Sequence, residues 1–226
     1  MSNASLLTIN AGSSSIKFAV FTADALPVLA IYGEIDGLDI AGEAVHFVAR
    51  DVTGRLLIDR SLAAIQHHEA ALANLFDWLF QQHSINIAAA GHRVVHGGEQ
   101  YAHPQRINES VLQALSALEP LAPLHQPHNL AAIRALQKLQ PTLPQVACFD
   151  TAFHHAQAAV ARNFALPRAL TEAGIRRYGF HGLSYEYIAS MLPTHFGERA
   201  DGRIIVAHLG NGASMCAMRE RKSVAT

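Results

Sequence analysis

Short apolar runs alternate with small polar residues over the first sixty positions. Leu6–Asn10, Ile16–Phe21, Val28–Ile35, Val45–Ala49 and Leu56–Asp59 each fit a strand, punctuated by Gly12, Pro27, Gly37, Gly42 and Gly54. The pattern predicts an antiparallel meander. A period of 3.6 then takes over. Ala71, Leu72, Leu75, Phe76 and Leu79 share one face of a helix over about His68 to Gln82. Ala88–Val95 reads as the next strand. Asn108 can cap a helix carrying Val111, Leu112, Leu115 and Leu118, which Pro120 ends. A further helix is expected from about His128 to Leu139, closed by Pro141, and then a short buried strand at Gln145–Asp150. Alternating strands and helices favour an α/β layer architecture.

The pattern restarts after Asp150. A loop-rich stretch leads to Tyr178–Tyr185, followed by a helix to about Met191. Ile204–His208, a Gly-Asn-Gly turn and Met215–Met218 then repeat the opening unit: apolar strand, small turn, apolar strand. Residue identity between the two copies is low, but the architecture suggests two related domains, each beginning with a hairpin. The expected boundaries are 1–150 and 151–226.

Composition narrows the function classes. The 226 residues are 50% hydrophobic and 15% charged, with a net charge of -1. Without a basic tail or charge block, nucleic-acid and membrane-surface binding lack electrostatic support. No apolar run reaches the roughly 20 residues of a membrane span, and no basic-then-apolar leader is found. Cys148 and Cys216 are far apart without metal-ligand spacing, which fits small core residues in a reducing cytoplasm.

Turns of Gly, Ser and Asn let backbone approach a ligand closely, so successive N–H groups can hold an anion. Either turn alone is equally an ordinary hairpin. Both together suit a nucleotide's phosphates gripped between two domains, with Lys17 adding charge. Other polar residues sit at strand ends and in Gly/Pro loops, where α/β proteins place chemistry. Arg93 precedes Gly97-Gly98, His125 lies between prolines, Asp150 ends a buried strand and His181 follows Phe180. Singly, each could be an ion pair, a cap or a core histidine. Together they form a candidate site.

These stretches resemble the acetate kinase family, which includes propionate kinases. The matching segments are TINAGSSSIKF, GHRVVHGGE, LAPLH, FDTAFH, RRYGFHG and HLGNGAS, in the family's order. The resemblance implies duplicated ribonuclease H-like domains of the actin-like ATPase class, the second incomplete in this chain. It implies reversible phosphoryl transfer between ATP and acetate, giving ADP and acetyl phosphate, with Mg²⁺ or Mn²⁺. It further implies a cytoplasmic enzyme, homodimeric at full length, acting on acetate or another short carboxylate.

Residue by residue, Arg93 matches the arginine that binds the carboxylate and steadies the transferring group, where a planar fork suits both. His181 matches the transition-state histidine and Asp150 the catalytic aspartate, which would orient Arg93 or the metal shell. Asn10 matches a Mg²⁺-site residue acting partly through water. Lys17, Ser13, Ser15 and the loop His208, Leu209, Gly210, Asn211 and Gly212 match ATP-site positions. His125 matches a further site residue, and Val95, Leu124 and Phe180 the acyl pocket wall. Val95 leans toward acetate over propionate.

Two departures stand out. Where the family usually has Thr-Ser-His after GFHG, this chain has Leu183, Ser184 and Tyr185, and Ala225 replaces an acid. Loss of a hydroxyl and an imidazole is expected to alter turnover. The family extends well past the length of this chain, so these residues alone are expected to have little or no activity. A non-catalytic nucleotide-binding or dimerisation module is the competing reading. A zinc hydrolase using some of the 14 histidines is disfavoured, because His92 lies on an expected strand and four-residue His spacing suits zinc only on a helix.

Overall fold

A computed structural model of the chain describes residues 4–210 and 212–226. The chain divides into two compact units. One holds the residues up to Val94 together with Gln105–Ala147, and the other holds Val95–Pro104 together with Cys148–Thr226.

The first unit opens with the expected meander: β1 (Ala4–Ala11), β2 (Ser15–Thr22), β3 (Leu29–Asp36), β4 (His46–Asp51) and β5 (Leu56–Ser61), each antiparallel to the next. Helix α1 (His68–His83) leads to β6 (Asn86–Val94), which runs parallel to β1. Next come β7 (Gln105–Arg106), α2 (Glu109–Ser116), α3 (Gln126–Leu139) and β8 (Gln145–Phe149). The sheet order is β5-β4-β3-β2-β1-β6-β8-β7.

Strand alternation sends Leu7, Ile9, Ile16, Phe18, Val20, Ile31, Ile35 and Phe47 to one face. There they bury against Leu72, Leu75, Trp78 and Leu79 of α1 and Ala132, Ala135 and Leu136 of α3. Asn108 caps α2 as expected, its Oδ1 accepting the Val111 N–H at 2.9 Å. Helix α3 starts two residues before the expected His128, because Pro127 fits the first turn, where its missing N–H costs nothing.

The second unit contains two short helices, α4 (Ala159–Arg162) and α5 (Arg168–Glu172), then α6 (Gly182–Phe196). It ends in a three-stranded antiparallel sheet of β9 (Arg203–His208), β10 (Ser214–Arg219) and β11 (Lys222–Ala225), ordered β11-β10-β9. Cys216 and Met218 on one face of this sheet bury with Tyr185 and Ala189 of α6. The sequence pattern places α6 only after Tyr185 and ends it near Met191. The helix begins instead at Gly182, whose N–H donates to the Asp150 carbonyl at 2.8 Å. It then passes Pro193, which removes one ladder bond near the helix end. Strands β7 and β11 are too short to leave a periodic signal.

Among the described residues, no helix is long and apolar enough to cross a membrane. Both cysteines are free, and burial pushes both thiols above their usual range.

Buried histidines make the fold acid-sensitive. His92 on β6 is buried, which pushes its imidazole down from 6.5 to about 4, with the Gln145 amide opposing. The native state therefore takes up this proton only near pH 4, whereas the unfolded chain takes it up near 6.5. Between those values the unfolded state binds more protons, so stability falls as pH drops. Burial pushes His96 and His154 in the same direction. Urea midpoints are expected to fall from about pH 7.5 to about pH 5, with a shallower fall in His92→Gln.

Candidate active site

In the first unit, the turn after β1 is held by its carbonyl groups. The Ala11 carbonyl accepts from Asn129 Nδ2 at 2.7 Å, and the Gly12 carbonyl accepts from His68 Nε2 at 2.8 Å. The Ser14 carbonyl accepts from the Leu38 N–H at 2.9 Å, and the Ser15 carbonyl accepts from the Gly12 N–H at 2.8 Å. Across a trans peptide, C=O and the following N–H point in opposite directions. The N–H groups of Ser13 and Ser15 are therefore turned away from His68 and Leu38, which suits a small anion. His68 is itself fixed, because its Nδ1 lies 2.8 Å from Asp39 Oδ2. Its bonds to His67 and His68 hold the Asp39 carboxyl below the usual carboxylate range.

Asn10 and Arg93 meet in this unit. They are the penultimate residues of β1 and β6, two parallel neighbours, and Arg93 Nη1 donates to Asn10 Oδ1 at 3.0 Å. Lys17 pairs in register with Asn10 on β2 but is exposed, with Nζ 3.9 Å from Glu34 Oε2. Leu124 and His125 are exposed just before α3, where His125 occupies the N-cap position without a side-chain capping bond.

The second unit contains Val95, Asp150, Phe180, His181 and the loop after β9. Val95 and Asp150 are buried and Phe180 is half-buried. His181 has φ 58°, a left-handed backbone that is uncommon outside glycine and clusters at functional positions. It is pinned on both sides. Gly182 N–H donates to the Asp150 carbonyl, and the Phe180 carbonyl accepts from His154 Nε2 at 3.0 Å.

His154 is buried and neutral in character. Its Nε2 proton goes to a carbonyl, so its Nδ1 accepts from the Ser223 hydroxyl at 2.8 Å. Ser223 Oγ in turn accepts from Gln157 Nε2 at 2.7 Å. The His181 and His208 rings stack with centroids 4.2 Å apart. His181 Nδ1 lies 2.8 Å from Ser214 Oγ, and His208 Nδ1 lies 3.0 Å from Ser184 Oγ. Gly212 sits beside His181: a β-carbon at position 212 would lie only 3.3 Å from His181 Nε2. Leu209 and Gly210 are exposed, and Asn211 lies outside the described residues.

Sequence reading misses His68, Asn129, His154 and Ser214 as site residues. Each acts through a partner far along the chain; His68 and Asn129 lie outside every matching segment, and His154 and Ser214 only close two of them. Among the described residues, no group of three or more His, Cys, Asp or Glu could hold a metal ion. Asn10 offers a single neutral oxygen that already accepts from Arg93.

The profile of the Acetokinase family matches residues 5–226. An acetate kinase of Rhodopseudomonas palustris is 52% identical over 225 residues, covering 98% of this chain and 56% of that protein. A propionate kinase of Yersinia enterocolitica is 40% identical over 227 residues, covering 99% of this chain and 54% of its own length. The crystal structure of a propionate kinase from Francisella tularensis superposes with a TM-score of 0.88 at 34% identity, over 98% of this chain and 56% of that one. The chain thus spans little more than half the length of these relatives. Its eight-stranded and three-stranded sheets have the duplicated, ribonuclease H-like α/β architecture. By sequence and by fold, the chain belongs to the acetokinase family.

Proposed function

We propose that this chain carries the carboxylate- and phosphate-handling residues of an acetate kinase reaction, the reversible transfer of a phosphoryl group from ATP to acetate. The observation that carries this reading is the Arg93–Asn10 hydrogen bond at the carboxyl ends of two adjacent parallel strands, where open α/β sheets bind ligands.

The chemistry asks for charge management more than for a base, since acetate is already ionised and approaches an anionic phosphate. Arg93 grips the carboxylate and steadies the phosphoryl group in flight. Asn10 fixes the guanidinium from its other side. His181 donates to an equatorial phosphoryl oxygen, and Asp150 orients the cluster. Ser13, Ser15 and Lys17 in the first unit, and His208 and Gly212 in the second, each take phosphate-contacting roles. Mg²⁺ or Mn²⁺ would arrive on the nucleotide and neutralise phosphate charge. Val95 and Phe180 take the acyl-pocket positions, and the size of Val95 favours acetate over propionate by the modest margin of one methylene, about 1–3 kcal/mol.

Titration is the deciding readout, because it reports each ligand separately. Calorimetry with MgATP and with acetate should show binding of each. Arg93→Ala should weaken acetate binding at least about tenfold, the scale of a hydrogen bond to a charged group, and leave ATP binding in place. Lys17→Ala should weaken ATP binding. Acyl phosphate is trapped in parallel as its hydroxamate. ATP binding without any acetate binding would make the chain a nucleotide-binding module instead.

A further inference from the structure

Tyr185 stands where the family usually carries histidine, a departure that the sequence alone reads as the loss of an imidazole near the site. The structure shows that a hydroxyl is supplied there. Tyr185, in the first turn of α6, is fully buried among Phe153, His154, Ala189 and Cys216. Its Oη lies 2.6 Å from Ser214 Oγ, and Ser214 Oγ lies 2.8 Å from His181 Nδ1.

The protons along this chain can be assigned. Among the described residues, Ser214 Oγ is the hydrogen-bond partner of the Tyr185 hydroxyl. A buried hydroxyl that fails to donate is costly, so Tyr185 donates to Ser214. Ser214 has one proton and, among the described residues, two hydrogen-bond partners, Tyr185 and His181; with Tyr185 donating, His181 Nδ1 is the acceptor that satisfies that proton. Nδ1 then accepts, and the ring proton of neutral His181 resides on Nε2. Nε2 is the atom that faces Gly212 in the small-residue turn.

We propose that Tyr185, acting through Ser214, is a positioning residue that locks His181 in its Nε2–H tautomer. On the reading given under Proposed function, on which this inference rests, that tautomer presents a donor to a phosphoryl oxygen. The opposite tautomer would present a lone pair to an anion. The relay is built from this chain's own departure: a phenol in place of the family's imidazole, reaching the same histidine through a serine.

Long-range ¹H–¹⁵N correlation spectra of the labelled chain test this directly, with His181 assigned by the signals missing in His181→Gln. Wild-type protein should show His181 protonated at Nε2 and bare at Nδ1. Tyr185→Phe keeps the ring and removes the donor, and should shift the population measurably toward Nδ1–H. A wild-type spectrum dominated by Nδ1–H overturns the proposal without any variant. An unchanged tautomer in a folded Tyr185→Phe overturns it as well. Titration with inorganic tripolyphosphate separates the two claims. A locked tautomer whose Nε2 signal ignores tripolyphosphate supports the relay and removes His181 from the phosphate-binding role.

Discussion

Gly182→Ala is expected to destabilise the second unit by about 3 kcal/mol, the upper range for forced overpacking. A β-carbon at position 182 would lie 2.1 Å from the Asp150 carbonyl oxygen and 3.0 Å from Phe153 Cβ. The obstacle is backbone immediately after β8, which cannot rotate away as a side chain could. The start of α6 must therefore lift, and the 2.8 Å bond from Gly182 N–H to the Asp150 carbonyl breaks. His181, held in its left-handed conformation between that bond and His154, is released with it. Native-state hydrogen exchange along α6 is the appropriate measurement, since it resolves local opening from global unfolding. Unchanged protection of the α6 amides in the variant would show that the close approach carries no such weight.

Phe47→Ala is expected to cost about 3–5 kcal/mol, the range for removing a large aromatic side chain from a packed core. Phe47 is fully buried on β4, and its ring meets Trp78 at 5.1 Å and Phe18 at 6.0 Å, both edge-on. The substitution removes apolar area and two aromatic contacts from the centre of the meander. Because Trp78 is the chain's one tryptophan, its fluorescence reports this core specifically. The urea midpoint followed at Trp78 should fall well below that of the wild type. A loss under about 1 kcal/mol would mean that the sheet and α1 collapse into the cavity.

Much of the first unit is legible in the chain because its signals are local. Alternation in β1–β5, the 3.6-residue period in α1 and the Asn108 cap each lie within a few residues of what they determine. The two hairpins are visible for the same reason, as apolar strands flanking small turns. The start of α6 is not. His181 has no side-chain capping bond, and the helix is launched by a hydrogen bond to Asp150, thirty-two residues earlier.

The same distinction separates the candidate site residues. Arg93, Asp150 and His181 stand out in sequence because their motifs resemble those of a family. Of their supports, Asn129 and His68 are ordinary polar residues until the fold brings each to a particular carbonyl, while His154 and Ser214 lie inside matching segments without showing which partner each holds. Tyr185 is visible in the sequence as an exception to a pattern, but its role depends on which hydroxyl it faces.

The division of the chain also sets an order of assembly. Val95–Pro104 belongs with Cys148–Thr226, yet the ribosome delivers it between two segments of the other unit. A loop of more than forty residues must close before Val95 finds its neighbours, at an entropic cost that grows with loop length. Gly97 and Tyr101 meet their partners Thr151 and Phe149 only once synthesis has passed β8.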